Sequence, residues 1–164
     1  MANMIPISTV TVGSSVASIS FTGIPQIYTD LLVKLSLRSD RTADVDSITM
    51  TFNGSSTGIT WRTLMGDGST ATSGTAQRFW VNSTTYTANT FGNAEVYIPN
   101  YTSANYKSTS IDVVTENNAT GAYAEILTQL WSNTAAITSI TFAPQFGSNW
   151  LQYSTATLYG IRKY

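Results

Sequence analysis

Acidic side chains are the groups in this sequence that come closest to a catalytic arrangement. The candidates, all within predicted strands, are Glu95, Asp112, Glu116 and Glu125. Asp112 and Glu116 have the same strand parity and so share a face, and two carboxylates across a cleft are what glycoside hydrolysis requires. With nine acidic residues in a chain of 164, such a pair is expected by chance. The pattern favours a solvated strand face, and we predict that the protein is not an enzyme.

Two residue types that carry much of enzyme chemistry are missing, because the sequence has no histidine and no cysteine. Ser–His–Asp and Cys–His catalysis is therefore excluded, as are disulfides and zinc sites built from those ligands. Asp40, Asp44 and Asp46 offer the oxygen ligands that calcium prefers, but the ligand spacing and closing glutamate of an EF-hand are absent. We expect an acidic turn between two strands there, and neither a metal nor another cofactor.

The charge pattern argues against a nucleic acid or a membrane as the partner. Only 10% of the residues are charged, the formal net charge is −1, and the eight Lys and Arg residues are scattered rather than clustered. No apolar run reaches the length of a membrane span, and the opening MANMIPISTVTV lacks the features of a secretory signal. We therefore expect synthesis in the cytoplasm without classical export. Low charge gives little protection against association, which favours an oligomer or an assembly component.

Alternation with a period of two recurs along the sequence and predicts an all-β fold. About ten strands are expected between Gly, Asn, Pro and Ser turn signals, at residues 7–12, 16–21, 30–39, 47–52, 59–65, 94–99, 108–116, 123–131, 137–142 and 155–163. This pattern fits a single jelly-roll-like antiparallel β-sandwich domain over residues 1–164. Residues 1–8 are predicted to be either an N-terminal arm or a first edge strand.

Two segments also carry helical features. Residues 24–31 place Pro25 where it suits the first position of one helical turn. Residues 123–131 have apolar positions that match a helical stripe. The short length of this second segment and its neighbours favour a strand.

Residues 66–92 are the main irregularity, because so long a loop inside a compact domain is uncommon and is usually functional or disordered. The segment begins rich in Ser, Thr and Gly and then becomes aromatic. We predict either a flexible loop with one or two core strands or an aromatic loop that packs on a partner subunit. With one tryptophan from a later turn, the candidate interface consists of Arg78, Phe79, Trp80, Tyr86, Phe91 and Trp150.

The tryptophans divide by their sequence context. Trp61 and Trp131 lie on alternating segments and are predicted to pack in the core. Trp80 and Trp150 lie in loop-like contexts, where both a core position and an interface position are open.

The ending ITSITFAPQFGSNWLQYSTATLYGIRKY (137–164) resembles the C-terminus of a group of tailed-phage virion proteins, common in phages of cyanobacteria and other aquatic bacteria. That group ends in an Ile-Thr strand, a Gly-x-Asn-aromatic turn and a last strand with Leu-Tyr-Gly-Ile. The matching positions are Ile140, Phe142, Gly147, Asn149, Trp150, Leu158, Tyr159, Gly160 and Ile161. Residues 21–40 and 47–57 resemble earlier strands of the same group.

The same residues predict local structure. The turn from Gly147 to Trp150 is expected to deliver an aromatic ring into or onto the sandwich. The last strand is expected to pair between earlier strands and close the sheet. Gly160 inside that strand predicts a bulge or a close backbone approach.

The resemblance implies a virion structural protein. One setting is a capsid decoration or cement protein, typically a homotrimer, that packs on the major capsid protein at the virion surface. The other setting is a tail fibre or spike module that recognises host surface glycans. Because the sequence begins at Met1 and shows no repeat or coiled-coil stalk, we expect the capsid role. A cellular carbohydrate-binding sandwich is a third alternative.

Overall fold

The computed structural model describes residues 3–75 and 79–162, which form two β-sheets and no helix. The strands are β1 (Asn3–Thr11), β2 (Ile19–Phe21), β3 (Asp30–Leu37), β4 (Val45–Phe52), β5 (Ile59–Gly66), β6 (Ala71–Gly74), β7 (Trp80–Asn82), β8 (Gly92–Ile98), β9 (Lys107–Glu116), β10 (Ala122–Trp131), β11 (Ile140–Pro144) and β12 (Thr155–Arg162). These residues contain no helix that could span a membrane. The all-β prediction is confirmed.

Eight of the strands have the pairing order of a jelly roll, in which two four-stranded sheets face each other. One sheet contains β1, β12, β3 and β8 side by side, and the other runs β2, β11, β4 and β7. All of these strand pairs are antiparallel. The predicted jelly-roll-like antiparallel sandwich in one domain is confirmed.

Two inserted hairpins widen the first sheet. The β9–β10 hairpin follows β8, and the β5–β6 hairpin pairs with it through β10, so the order becomes β1-β12-β3-β8-β9-β10-β5-β6. Burial along β9 alternates residue by residue. The widened sheet therefore turns one face to the interior and the other outward.

The interior is built from the side chains that alternation places inward. Leu31 and Val33 of the central strand β3 have no exposed surface. Phe52 contacts Trp131 with ring centroids 5.4 Å apart, and Trp131 is almost completely buried. Trp61 is partly buried against the same cluster. The predicted core positions of Trp61 and Trp131 are confirmed.

The last strand, β12, lies between β1 and β3, as predicted. Of the two alternatives for the N-terminal segment, the described part from Asn3 onward forms the edge strand β1. Gly160 of β12 lies against the ring of Tyr28, and a Cβ placed on Gly160 would be only 2.3 Å from Tyr28 Cγ. The predicted close approach at Gly160 is confirmed.

Other local predictions divide in outcome. The helical turn considered for residues 24–31 is wrong, because this segment holds a simple turn around Gln26 and Ile27. Residues 123–131 belong to strand β10, as favoured. Residues 66–92 contain the exposed strand β6 and strand β7 of the smaller sheet. Strand β7 is thus the one core strand among the described residues of this segment, because β6 is exposed. Residues 76–78 of the segment lie outside the described residues.

Candidate functional surfaces

The turn before the last strand is held by Asp40, from the loop after β3. Its Oδ1 accepts the N–H groups of Ser148 at 2.7 Å and Asn149 at 3.0 Å, and its Oδ2 accepts the side-chain amide of Asn149 at 2.9 Å. Burial raises the pKa of Asp40, but the hydrogen bonds from Asn149 and Ser148 outweigh it, so the pKa is lowered overall. The stabilisation is therefore present above the unfolded-state pKa, about 3.9, and is lost as the pH falls through the lower folded-state value.

Asp46 holds the same turn from the first residues of β4. Its side chain is fully buried, and its carboxylate accepts the N–H groups of Ser47 at 2.8 Å, Phe146 at 3.1 Å and Gly147 at 2.9 Å. A Cβ on Gly147 would lie 2.7 Å from Asp40 Oδ1, so the turn needs glycine there. The predicted acidic turn is thus a clamp that positions the start of the terminal segment.

Replacing Asp46 is expected to weaken this clamp. Asp46→Ala leaves three N–H groups, among them that of buried Ser47, without their acceptor and should lower the free energy of unfolding by about 2 kcal/mol. Asp44→Ala is the matched control, because Asp44 is exposed and its carboxylate accepts a hydrogen bond from the Thr85 hydroxyl. That change should cost under about 0.5 kcal/mol. Urea unfolding followed by circular dichroism measures both, and equal losses would contradict the clamp.

The outward face of the eight-stranded sheet is broad and weakly charged. One row of cross-strand neighbours runs across it through Leu64, Ile126, Asp112, Glu95, Lys34, Thr157 and Thr9. Leu64 and Ile126, which are 52% and 58% exposed, pair directly on neighbouring strands. Val114, 54% exposed, lies in the next row. These three aliphatic side chains form what we call the aliphatic patch.

Three hollows lie along this outward face. One of about 730 Å³ extends from Arg62 and Leu64 to Tyr97, and one of about 410 Å³ lies around Ile126 and Val114. The third, of about 450 Å³, lies nearer the centre of the sheet. The face is therefore contoured, with apolar side chains among hydroxyl groups, and it offers relief for a partner surface to fit.

The outward face also brings together acids that the sequence singled out. Asp112 and Glu95 are cross-strand neighbours on β9 and β8, and Glu95 forms an ion pair with Lys34. Asp112 and Glu116 are both exposed on β9, so their predicted shared face is confirmed. These positions are those of a solvated sheet face with one ion pair.

Glu125 departs from the other predicted acids. Its side chain points to the interior, where it is 2% exposed, and its Oε2 accepts the backbone N–H of Trp80 at 3.2 Å. Glu125 therefore ties the inserted hairpin to strand β7. It contributes no carboxylate to the outward face.

The predicted aromatic interface is only partly at the surface. Phe79, Tyr86 and Trp150 are buried in the monomer, and burial raises the pKa of Tyr86 to about 12. Their rings fill the sandwich, which leaves no side-chain surface for a partner, so the interface prediction is corrected at these positions. Trp80 is half-buried and packs edge-on against Tyr123 with centroids 4.7 Å apart.

Two members of that predicted set remain. Phe91 is half-buried and lines a cavity at one end of the sandwich. Arg78 lies outside the described residues.

The aliphatic patch was missed from the sequence because its residues sit in alternating strands beside core residues. Ile126 is exposed, whereas Leu127 next to it is buried. Strand parity carried the necessary signal, since Ile126 has the opposite parity to Glu125, Leu127 and Gln129, all buried. That signal becomes readable only once one residue of the strand is known to face inward.

The strand order and the outward face define a jelly-roll sandwich with a widened sheet. No protein-family model, no curated protein and no solved structure matches this chain.

Proposed function

We propose that this chain is a virion structural protein of a tailed phage, a capsid decoration or cement protein that packs on the major capsid protein. The observation that carries the proposal is the outward face of the widened sheet. It combines an aliphatic patch with hydroxyl side chains and little net charge. The resemblance of residues 137–164 to phage virion proteins supplies the setting.

The extent of the face suits a stable contact. Eight strands at a spacing of about 4.8 Å give a width of roughly 34 Å, and about eight residues per strand give roughly 27 Å. The resulting area of roughly 900 Å² compares with about 800 Å² per partner in a standard interface. Without the two inserted hairpins, the first sheet would have half as many strands. The insertions therefore provide much of the docking area.

The chemistry of the face favours a protein partner that is weakly charged. Leu64, Ile126 and Val114 lose unfavourable hydration when covered, at about 25 cal/mol per Å² of apolar surface. Lys34 and Glu95 already neutralise each other. A cement protein acts by mass action, since binding only the assembled shell stabilises that shell against disassembly. In the proposal three copies form a trimer, as the resemblance implies.

Binding to capsids that lack the protein tests the docking face. The double substitution Leu64→Thr, Ile126→Thr keeps strand-forming side chains but removes apolar surface, and should weaken capsid binding at least about tenfold. Ile27→Thr is the matched control, because Ile27 is 62% exposed but lies outside the sheet. It should leave binding unchanged. Bound protein is measured after sedimentation of the particles.

The outcomes distinguish a wrong docking face from a wrong decoration role. If the wild-type chain binds and the double variant binds equally well, the capsid contact lies elsewhere on the molecule. If the wild-type chain does not bind capsids at all, the decoration role itself is wrong.

The second candidate function is a tail-associated module that binds host glycans. Exposed rings favour it: Tyr153 and Phe146 are 66% and 62% exposed, and both lie between β11 and β12. This candidate places the protein at the tail in few copies, and it predicts binding to host cells that is lost when the rings are removed.

A further inference from the structure

A cavity opens at the end of the sandwich where four loops meet. Trp150 forms isolated β-bridges with Val16 and with Ser39 at this end. Asn82, the last residue of β7, forms a third such bridge with Arg38 and brings in the loop before β8. The cavity has a volume of about 310 Å³ and is lined by side chains that include Ser15, Arg38, Asn89, Phe91, Gln152 and Tyr153. None of these residues belongs to the outward face of the sheet.

Arg38 is a buried cation in the wall of this cavity. It is 7% exposed, and its guanidinium donates to the carbonyl oxygens of Tyr86, Thr87 and Thr90. Nη1 also donates to the Thr90 hydroxyl oxygen at 3.2 Å. Of the five N–H groups of the guanidinium, the Nε–H and one Nη2–H are left for a ligand. Within residues 3–75 and 79–162, the one ion pair with a carboxylate is between Lys34 and Glu95, so Arg38 has no counter-charge there.

Burial lowers the pKa of Arg38. An arginine side chain stays protonated at neutral pH even so. The cavity wall therefore carries a full positive charge, and an anion that enters is attracted through a partly desolvated medium.

Tyr153 also lines this cavity, and its backbone conformation is unusual. Its φ is 71°, a left-handed conformation that a bulky aromatic residue rarely adopts. Its N–H donates to Val12 O at 2.8 Å, which fixes the backbone while the ring remains 66% exposed. An aromatic ring is thus held outward beside a buried cation.

We propose that this cavity binds a carboxylate-bearing saccharide unit. The Arg38 guanidinium matches a carboxylate, and the face of the Tyr153 ring matches the apolar C–H face of a sugar ring. Asn89 and Gln152 carry amides and Ser15 a hydroxyl, so each both donates and accepts, as sugar hydroxyl groups require. The volume lies at the lower end of the usual range for small-molecule sites and suits one sugar residue.

An acidic side chain of a protein partner is the competing ligand. It would use Arg38 but would need neither the projecting ring nor three groups that suit hydroxyls. The cavity also lies at an end of the sandwich, so it stays open in a chain docked through its sheet face. The proposal therefore does not depend on the decoration role.

Titration of the full chain with trigalacturonate, followed by NMR of the side-chain amides of Asn89 and Gln152, tests the site. Galactotriose is the neutral probe of equal length, and we expect it to bind at least tenfold more weakly. Salt at about 1 M should weaken trigalacturonate binding and leave galactotriose binding unaffected. Equal affinities for the two sugars, or binding of neither, would overturn the proposal.

Tyr153→Asn removes the ring at a residue type that tolerates positive φ, so the fold should be retained. Trigalacturonate binding should fall at least tenfold. Tyr106→Asn, at another exposed tyrosine, should have no effect. A hexaglutamate peptide is the probe for the competing ligand, an acidic protein segment. If it binds as tightly as trigalacturonate and Tyr153→Asn does not weaken it, the ligand is an acidic peptide and the saccharide assignment is wrong.

Discussion

Trp150→Ala is expected to lower the free energy of unfolding by about 3–5 kcal/mol. The Trp150 ring has no exposed surface, and its Nε1–H donates to Phe142 O at 3.0 Å. Its backbone N–H donates to Val16 O at 2.8 Å, so the residue joins the β1–β2 connection to the terminal segment. Truncation leaves a large cavity and an unsatisfied carbonyl group where four loops meet.

Trp80→Ala is the control for Trp150→Ala. Trp80 is half-buried on strand β7, so truncation should cost under about 2 kcal/mol. Urea unfolding followed by far-UV circular dichroism avoids reliance on the tryptophan signal itself. Retention of stability within about 1 kcal/mol by Trp150→Ala would contradict the packing described for this residue. A binding defect of Trp150→Ala would report on lost folding rather than on a ligand.

Gly160→Ala is expected to cost about 3 kcal/mol, a large penalty for one added methyl group. The added Cβ would lie 2.3 Å from Tyr28 Cγ and 2.4 Å from Tyr28 Cδ2. The ring cannot move away freely, because Tyr28 is packed against the core cluster and the clash is at the base of its ring. Gly66→Ala in strand β5 is the control, since its nearest added contact is 3.9 Å and the change should stay within about 0.5 kcal/mol.

A double-mutant cycle isolates the cause of the Gly160 effect. In a Tyr28→Ala background, where the ring is gone, Gly160→Ala should cost less than about 1 kcal/mol. Chemical denaturation of the four proteins gives the coupling free energy. A penalty that is equally large without the Tyr28 ring would show that glycine is needed there for another reason.

Strand parity made much of the fold predictable. β9 shows strict alternation between the interior and solvent over its whole length, and the alternating sequence of residues 108–116 carries the same pattern. The terminal strand was predictable for the same reason. The residues that carry the resemblance have physical roles: Gly147 donates to the Asp46 carboxylate, Asn149 donates to the Asp40 carboxylate, and Gly160 packs under Tyr28.

The candidate surfaces were less predictable, because they depend on tertiary placement. Phe79 and Tyr86 follow a Ser/Thr/Gly-rich stretch, which gives no sign that short strand β7 carries this segment into the core. Ile126 and Leu127 look equivalent in composition, yet one faces outward and the other inward. The cavity at Arg38 joins loops distant in sequence, so no local pattern indicates it.

The two inserted hairpins connect the fold to the proposed role. They leave the jelly-roll pairing of the other eight strands intact while adding β9, β10, β5 and β6 to one sheet. All three residues of the aliphatic patch lie on these added strands. The proposed capsid docking should therefore depend on the insertions, whereas the stability of the sandwich should depend on Trp150 and Gly160.

Quantitative mass spectrometry of purified phage particles tests the proposed decoration role most directly. A decoration protein is present in a fixed ratio to the major capsid protein. We therefore expect the copy number of this chain per particle to be in proportion to that of the major capsid protein. A handful of copies per particle, in proportion to the tail proteins instead, would contradict the decoration role.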